Sequence, residues 1–139
     1  MSLFKIFNVA GSGMDVQNVR LNTTASNLAN AETVSGSEAE AYRARRPVFA
    51  AQLNDAMNGD ESSVGVAVTG VLESQAPAIK EYNPNHPKAD QDGYIYRPNV
   101  SVVEEMADMI SASRSYQTNV QIADTAKNML LQTLKLGKG

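Results

Sequence analysis

The chain has 139 residues, is 42% apolar and 19% charged, and carries a net charge of −3, which suits one domain with a modest core rather than a disordered chain. The acidic balance gives no electrostatic reason to expect nucleic-acid binding. The absence of cysteine excludes disulfides, thiolate metal sites and thiol chemistry.

With only 6% aromatic residues, a compact sphere would be poorly filled. Elongated helices that complete their burial against other chains are the expectation. Met1 to Ala10 lacks the basic start and unbroken apolar run of a secretory signal, and no stretch reaches the roughly 18 apolar residues that span a bilayer. On these rules alone the chain is expected in the cytoplasm.

The first 30 residues carry a helical repeat. Phe4, Phe7, Gly11, Met14, Asn18, Leu21, Ala25 and Leu28 alternate spacings of three and four, an a/d seam weakened at Gly11 and Asn18. Ser12 and Asp15 form a potential capping pair, so a start or kink is expected near Gly11-Ser12-Gly13. Asn30 suits a left-handed helix end.

Residues 31–98 lose that period. Tyr42 to Phe49 reads as extended, with Pro47 demoting it to an edge strand. Val64, Val66 and Val68 alternate with Gly65 and Ala67, a half-buried strand running towards Leu72. Ile79 to Tyr82 and Gly93 to Arg97 flank Asn83-Pro84-Asn85-His86-Pro87 as a second hairpin, and Asn58 to Ser63 reads as a solvated loop.

In the last segment, Ser101 with Glu104 forms a capping box, and neither proline nor glycine intervenes before Gly137. A helix from Ser101 to Leu136 would be on the order of 50 Å long. It carries two stripes about 100° apart. One runs Met106, Met109, Ser113, Tyr116, Val120, Ala123, Leu130, Leu134; the other runs Ala112, Ser115, Asn119, Ile122, Ala126, Met129, Thr133, Leu136. A two-helix coiled coil buries one stripe, and the second needs another partner. The predicted fold is mainly α with a small β region. Long terminal helices (1–30 and 99–139) pair as a coiled coil, with a β-rich hairpin domain (31–98) between them. A simple helical bundle is the alternative, but it needs more helices than the middle segment supplies.

Leu21-Asn22-Thr23-Thr24-Ala25-Ser26-Asn27-Leu28-Ala29-Asn30-Ala31-Glu32-Thr33 resembles the signature of the flagellar rod and hook family of axial proteins, an Asn-x-Ala-Asn-x-x-Thr helix end. Tyr82 to Asp90, Asp92-Gly93-Tyr94, Arg97 to Val100 and Glu104 to Tyr116 are similar to the proximal-rod members of that family. With Tyr42-Arg43, Gly65-Val66 to Leu72, Asn119, Lys127, Leu134 and Gly137, the resemblance runs in order along nearly the whole chain. It implies a structural subunit of the basal-body rod that polymerises into the periplasm-spanning drive shaft around the export channel. It also implies export by the flagellar type III apparatus without a cleaved signal peptide, which overrides the cytoplasmic expectation. The implied partners are copies of the chain, other proximal rod proteins, the rod–ring junction protein and the distal rod.

The expected subunit-interface residues are Phe4, Phe7, Met14, Leu21, Ala25 and Leu28, with Met106, Met109, Tyr116, Val120, Ile122, Ala123, Met129, Leu130 and Leu134. Asn27, Ala29, Asn30 and Thr33 are the family motif at the junction between helix and middle domain; from the residues alone, the asparagines are equally plain helix-end polar groups. Catalytic, cofactor-binding and metal sites are not expected. His86, the one histidine, has no second ligand or nucleophile at a recognisable spacing and reads as a turn residue. Asp90-Gln91-Asp92-Gly93 lacks the third acid and the distant bidentate Glu of a calcium loop. Arg43, Arg45 and Arg46 fit either acidic neighbouring subunits or a solvated strand edge. Glu104, Glu105 and Asp108 suit the helix dipole. Neither nucleic acid nor a small-molecule substrate is implied. A soluble adaptor binding one partner helix is the alternative function.

Overall fold

The computed structural model describes residues 3–52 and 64–137; the expected loop Asn58 to Ser63 lies outside the described residues. The first helix, α1 (Leu3–Asn30), runs unbroken through Gly11-Ser12-Gly13. The helix does not start there: Ser12 Oγ bonds back to the Val9 carbonyl (2.8 Å) instead of capping a new turn. Its end is also built differently from the expectation. Among the described residues, none but Gly93 has positive φ, so Asn30 is not left-handed. Thr33 closes the helix instead, bringing both its N–H (3.1 Å) and its Oγ1 (2.8 Å) to the Asn30 carbonyl.

The last helix, α2 (Val102–Leu136), starts where the capping pattern places it, with Ser101 as N-cap and its side chain accepting from the Glu104 N–H. Gly137 ends it in the right-handed region (φ −78°), its N–H returned to the Thr133 carbonyl at 3.0 Å.

The two helices pair antiparallel. Leu3 and Ile6 lie beside Ile122, Ala126 and Met129, Gly13 faces Asn119, Arg20 reaches Asp108, and Asn27 reaches Glu105. The seam on α1 therefore runs Leu3, Ile6, Ala10, Gly13, Arg20, Thr24, Asn27. It is one residue, or about 100°, away from the stripe of larger apolar side chains. Small residues set the spacing: Ala112 is fully buried, and Ala10, Ala123 and Ala126 are nearly so. A Cβ at Gly13 would stand 2.7 Å from Asn119 Nδ2, so glycine permits the approach there.

Between the helices lie two antiparallel hairpins. Strands β1 (Arg45–Ala51) and β2 (Val66–Glu73) pair with a bulge at Val48/Phe49; β3 (Ile79–Tyr82) and β4 (Tyr94–Arg97) form a separate pair. Strand β1 starts and ends later than Tyr42 to Phe49, because its ladder with β2 runs from Arg45 opposite Glu73 to Ala51 opposite Val66. Strand β2 is mostly exposed rather than half-buried. The alternation is not carried into burial, since Val66 is exposed while the neighbours Ala67 and Val68 are both half-buried; among the described residues, α1 is the one helix the ribbon lies against. In β3–β4, Lys80 Nζ sits 3.9 Å over the Tyr94 ring and Tyr82 packs edge-on to Tyr94, while Ile95 is buried on the opposite face. A paired bridge between Ser35 and Tyr96 fastens this hairpin to the segment after α1.

His86 sits in the turn before β4, its Nδ1 accepting from the Lys88 N–H (3.1 Å). Asp90 also serves the turn. Its Oδ1 accepts from the Tyr94 (2.8 Å) and Asp92 (3.0 Å) amides and its Oδ2 from Tyr96 Oη (3.3 Å). The Tyr94 amide, followed by those other donors and the Lys80 charge, holds this carboxyl below its ordinary 3.8.

Two outcomes follow. An Ala112→Leu substitution should destabilise the helix pair by about 1–3 kcal/mol through overpacking, read by thermal denaturation. Because Asp90 has a depressed folded pKa, its contribution is present above 3.8 and is lost as pH falls through the lower folded value. Amide exchange at Asp92 and Tyr94 should therefore accelerate only in strong acid, and an Asp90→Asn variant should lack that acid step.

Candidate assembly interface and its polar junction

Asn27 is the largest fully buried side chain among the described residues. It lies on the seam face of α1 near its C-terminal end, where three parts of the chain meet. Its Nδ2 donates to the Arg45 carbonyl (2.8 Å) and to Glu105 Oε2 (3.1 Å). Its Oδ1 accepts from the Arg45 amide (2.9 Å) and from Tyr42 Oη (2.9 Å). Both donors and both acceptor positions of the amide are used, so the buried group carries no desolvation penalty in hydrogen bonds. Arg45 then pairs with Glu73 on β2 (3.4 Å) and lies 5.8 Å from the Tyr42 ring centroid.

The rest of the motif is local. Asn30 Nδ2 donates to the Ser26 carbonyl (2.8 Å), Thr33 caps Asn30, and Ala29 is exposed. Arg20 and Asp108, 2.7 Å apart, cross-link the helices beside this junction; with both side chains part-exposed, the pair is worth under about 1 kcal/mol.

Two of the three acids near the start of α2 therefore do more than favour the dipole. Glu105 is buried against Asn27 and Asp108 is paired with Arg20. Sequence reasoning missed Glu105, Tyr42 and Arg45 as partners of Asn27. The one available signal was the heptad spacing from Gly13 through Arg20 to Asn27, which places a polar residue inside a helix seam.

Of the two α2 stripes, the one through Ala112, Ser115, Asn119 and Ala126 faces α1. The other is divided. Ala123 is buried, Met109, Val120 and Leu130 are half-buried, and Met106, Tyr116 and Leu134 are exposed. On α1, Met14, Leu21 and Leu28 are half-buried, while Phe4 (67% exposed), Phe7 and Ala25 face outward. Ile122 and Met129 stay part-open because they wall a shallow groove of ≈ 270 Å³ with Leu3, Ile6 and Ala126. Val103 and Ile110 add exposed apolar surface that the stripes did not include. A lone molecule thus leaves large side chains in water along both helices, while its own seam is closed by alanines. Among the described residues, no three His, Asp or Glu side chains converge as a metal site.

Large exposed apolar side chains along both paired helices are the surface of an assembly subunit. Residues 7–36 match the family model described as "Flagella basal body rod protein", and residues 91–136 match "Flagellar basal body rod FlgEFG protein C-terminal". The flagellar basal-body rod protein FlgC of Salmonella typhimurium is 49% identical over 99% of this chain and 100% of its own length. That of Escherichia coli O157:H7 shows the same values, and that of Borreliella burgdorferi is 34% identical over the full length of both chains. The chain belongs to the FlgC family of flagellar basal-body rod proteins, and is a structural, non-enzymatic subunit of the rod. The single-partner adaptor alternative is set aside by that membership.

An Asn27→Ala variant should lose about 2–4 kcal/mol in chemical denaturation, because it strands the Arg45 amide, the Tyr42 hydroxyl and the Glu105 carboxylate together.

Proposed function

We propose that the chain is a proximal-rod subunit that polymerises with copies of itself and other proximal rod proteins into the drive shaft crossing the periplasm. In this reading residues 1–30 and 99–139 form an inner helical layer around the export channel, and residues 31–98 form a β-rich outer part. The rod–ring junction protein and the distal rod are its further neighbours. It reaches the rod through the flagellar type III export apparatus without a cleaved signal peptide.

The outward apolar surface of the paired helices carries this reading. Phe4 and Phe7 on α1, and Met106, Tyr116 and Leu134 on α2, are exposed in the single molecule. They lie off the mutual seam of the two helices, so in this reading a neighbouring chain covers them. Interdigitating side chains of long helices resist axial sliding, as a torque-bearing shaft requires. The interface set is then Phe4, Phe7, Met14, Leu21, Ala25 and Leu28 with Met106, Met109, Tyr116, Val120, Ile122, Ala123, Met129, Leu130 and Leu134 on α2, and Asn27, Ala29, Asn30 and Thr33 join helix to outer part.

Phe4→Glu and Leu134→Glu, each at an exposed position, should leave the folded chain within about 0.5 kcal/mol of its original stability. Each should abolish swimming and the appearance of rods in isolated basal bodies. Normal rods built from both variants would refute the interface.

A further inference from the structure

The backbones of β1 and β2 stay clear of α2; among the described residues, α1 is the helix that the backbone of the β1–β2 ribbon approaches. Glu105, on α2, makes no hydrogen bond or ion pair to the ribbon among the described residues, although Arg45, Arg46 and Phe49 line the same hollow as Glu105 and Asp108. Yet Glu105 is 4% exposed, and its Oε2 accepts from the Asn27 amide that also holds Arg45 by both its N–H and its carbonyl.

We propose that Glu105 is a positioning residue that locks the β1–β2 ribbon onto the helix pair by orienting the Asn27 side chain. The inference rests on the rod-subunit reading only for its biological use. Within the molecule it stands on the junction alone.

The physical basis is the asymmetry of an amide. Asn27 holds Arg45 with Nδ2 towards the carbonyl and Oδ1 towards the N–H, an arrangement that a flipped amide cannot reproduce. Glu105 supplies only acceptors when ionised, so it accepts Nδ2 and rejects Oδ1. Tyr42 Oη donates to Oδ1 and favours the same orientation. The orientation that docks β1 is thus favoured once α2 has brought Glu105 to α1. Helix pairing and ribbon docking become one event, although the backbones of the strands stay clear of the second helix. The ribbon has little else to hold it. Both strands are largely exposed, and an isolated two-stranded hairpin is marginal in water. Besides Asn27, the described polar anchor of its far strand on α1 is Ser12 Oγ, which accepts from the Val66 amide at 3.2 Å. In a rod, such a lock would present the exposed Val71 and Leu72 of β2 at a fixed angle only on molecules whose helices are already paired.

Amide hydrogen exchange on the full-length chain tests this, reading the Arg45 amide against amides in the interiors of α1 and α2. Glu105→Ala should speed Arg45 exchange by roughly tenfold to a hundredfold, the equivalent of one lost hydrogen bond to a charged group. The helix amides should keep their protection. Glu105→Gln should restore Arg45 protection only in part, because its carbonyl oxygen can accept from Nδ2 but its own amide can turn to donate to Oδ1. In an Asn27→Ala background, Glu105→Ala should add nothing further at Arg45. Unchanged Arg45 exchange in Glu105→Ala overturns the inference, as does a uniform loss of protection across both helices. Because no assembly is measured, failure here leaves the rod reading to be judged on the exposed-stripe variants alone.

Discussion

One buried amide sits where the separate parts of this molecule converge. Asn27 has two hydrogens to give and two lone-pair directions to fill, and the fold meets them from α2, from the start of β1 and from the segment between α1 and β1. A buried asparagine left half-satisfied would be among the most damaging groups a small core can contain. The positions of Tyr42, Arg45 and Glu105 are therefore constrained together. Moving the ribbon away from α1, or α2 along α1, breaks the same set of bonds. The junction also sets the helix register: with Asn27 against Glu105, Arg20 falls beside Asp108 and Gly13 beside Asn119.

That register explains why the molecule is greasy on the outside. The helix seam is closed by Ala10, Ala112, Ala123 and Ala126 with the Gly13 contact, so the backbones approach closely and little room remains for large side chains between them. The large ones go elsewhere. Phe4 and Phe7 at one end of the pair, and Val103, Met106 and Ile110 towards the other, stay in solvent. A globular monomer arranged this way would be wasteful and aggregation-prone. For a subunit of the rod the same arrangement is functional, because association supplies the missing burial.

Much of the architecture was legible because it depends on local rules. The Ser101 cap, the run free of proline and glycine up to Gly137, and the turn chemistry from Asn83 to Gly93 each act over a few residues, and each appears where the pattern puts it. The errors came where the deciding partner was distant or small. Hydrophobic spacing picks out Phe4, Phe7, Met14 and Leu21, but the α1 face that meets α2 is defined by Ala10, Gly13, Arg20 and Asn27, which carry little hydrophobic signal. Glu105 lies 78 positions from Asn27, so no local rule connects them. Alternation in β2 reveals its two faces but not whether anything covers one of them, and here α1 covers only a fraction. The family resemblance was legible at Asn27 and Asn30 although periodicity could not say what either touches: Asn27 enters the buried network, while Asn30 turns back to the Ser26 carbonyl.

The most direct test compares hydroxyl-radical footprints of the purified chain with those of the same chain in isolated basal bodies. The account predicts strong labelling of Phe4, Phe7, Met106 and Leu134 in the free molecule and marked protection of all four in the rod. Tyr42, held at the junction in both states, should change little. Equal labelling of those four side chains before and after assembly would contradict the account, since the outward apolar surface would then have no neighbour to cover it.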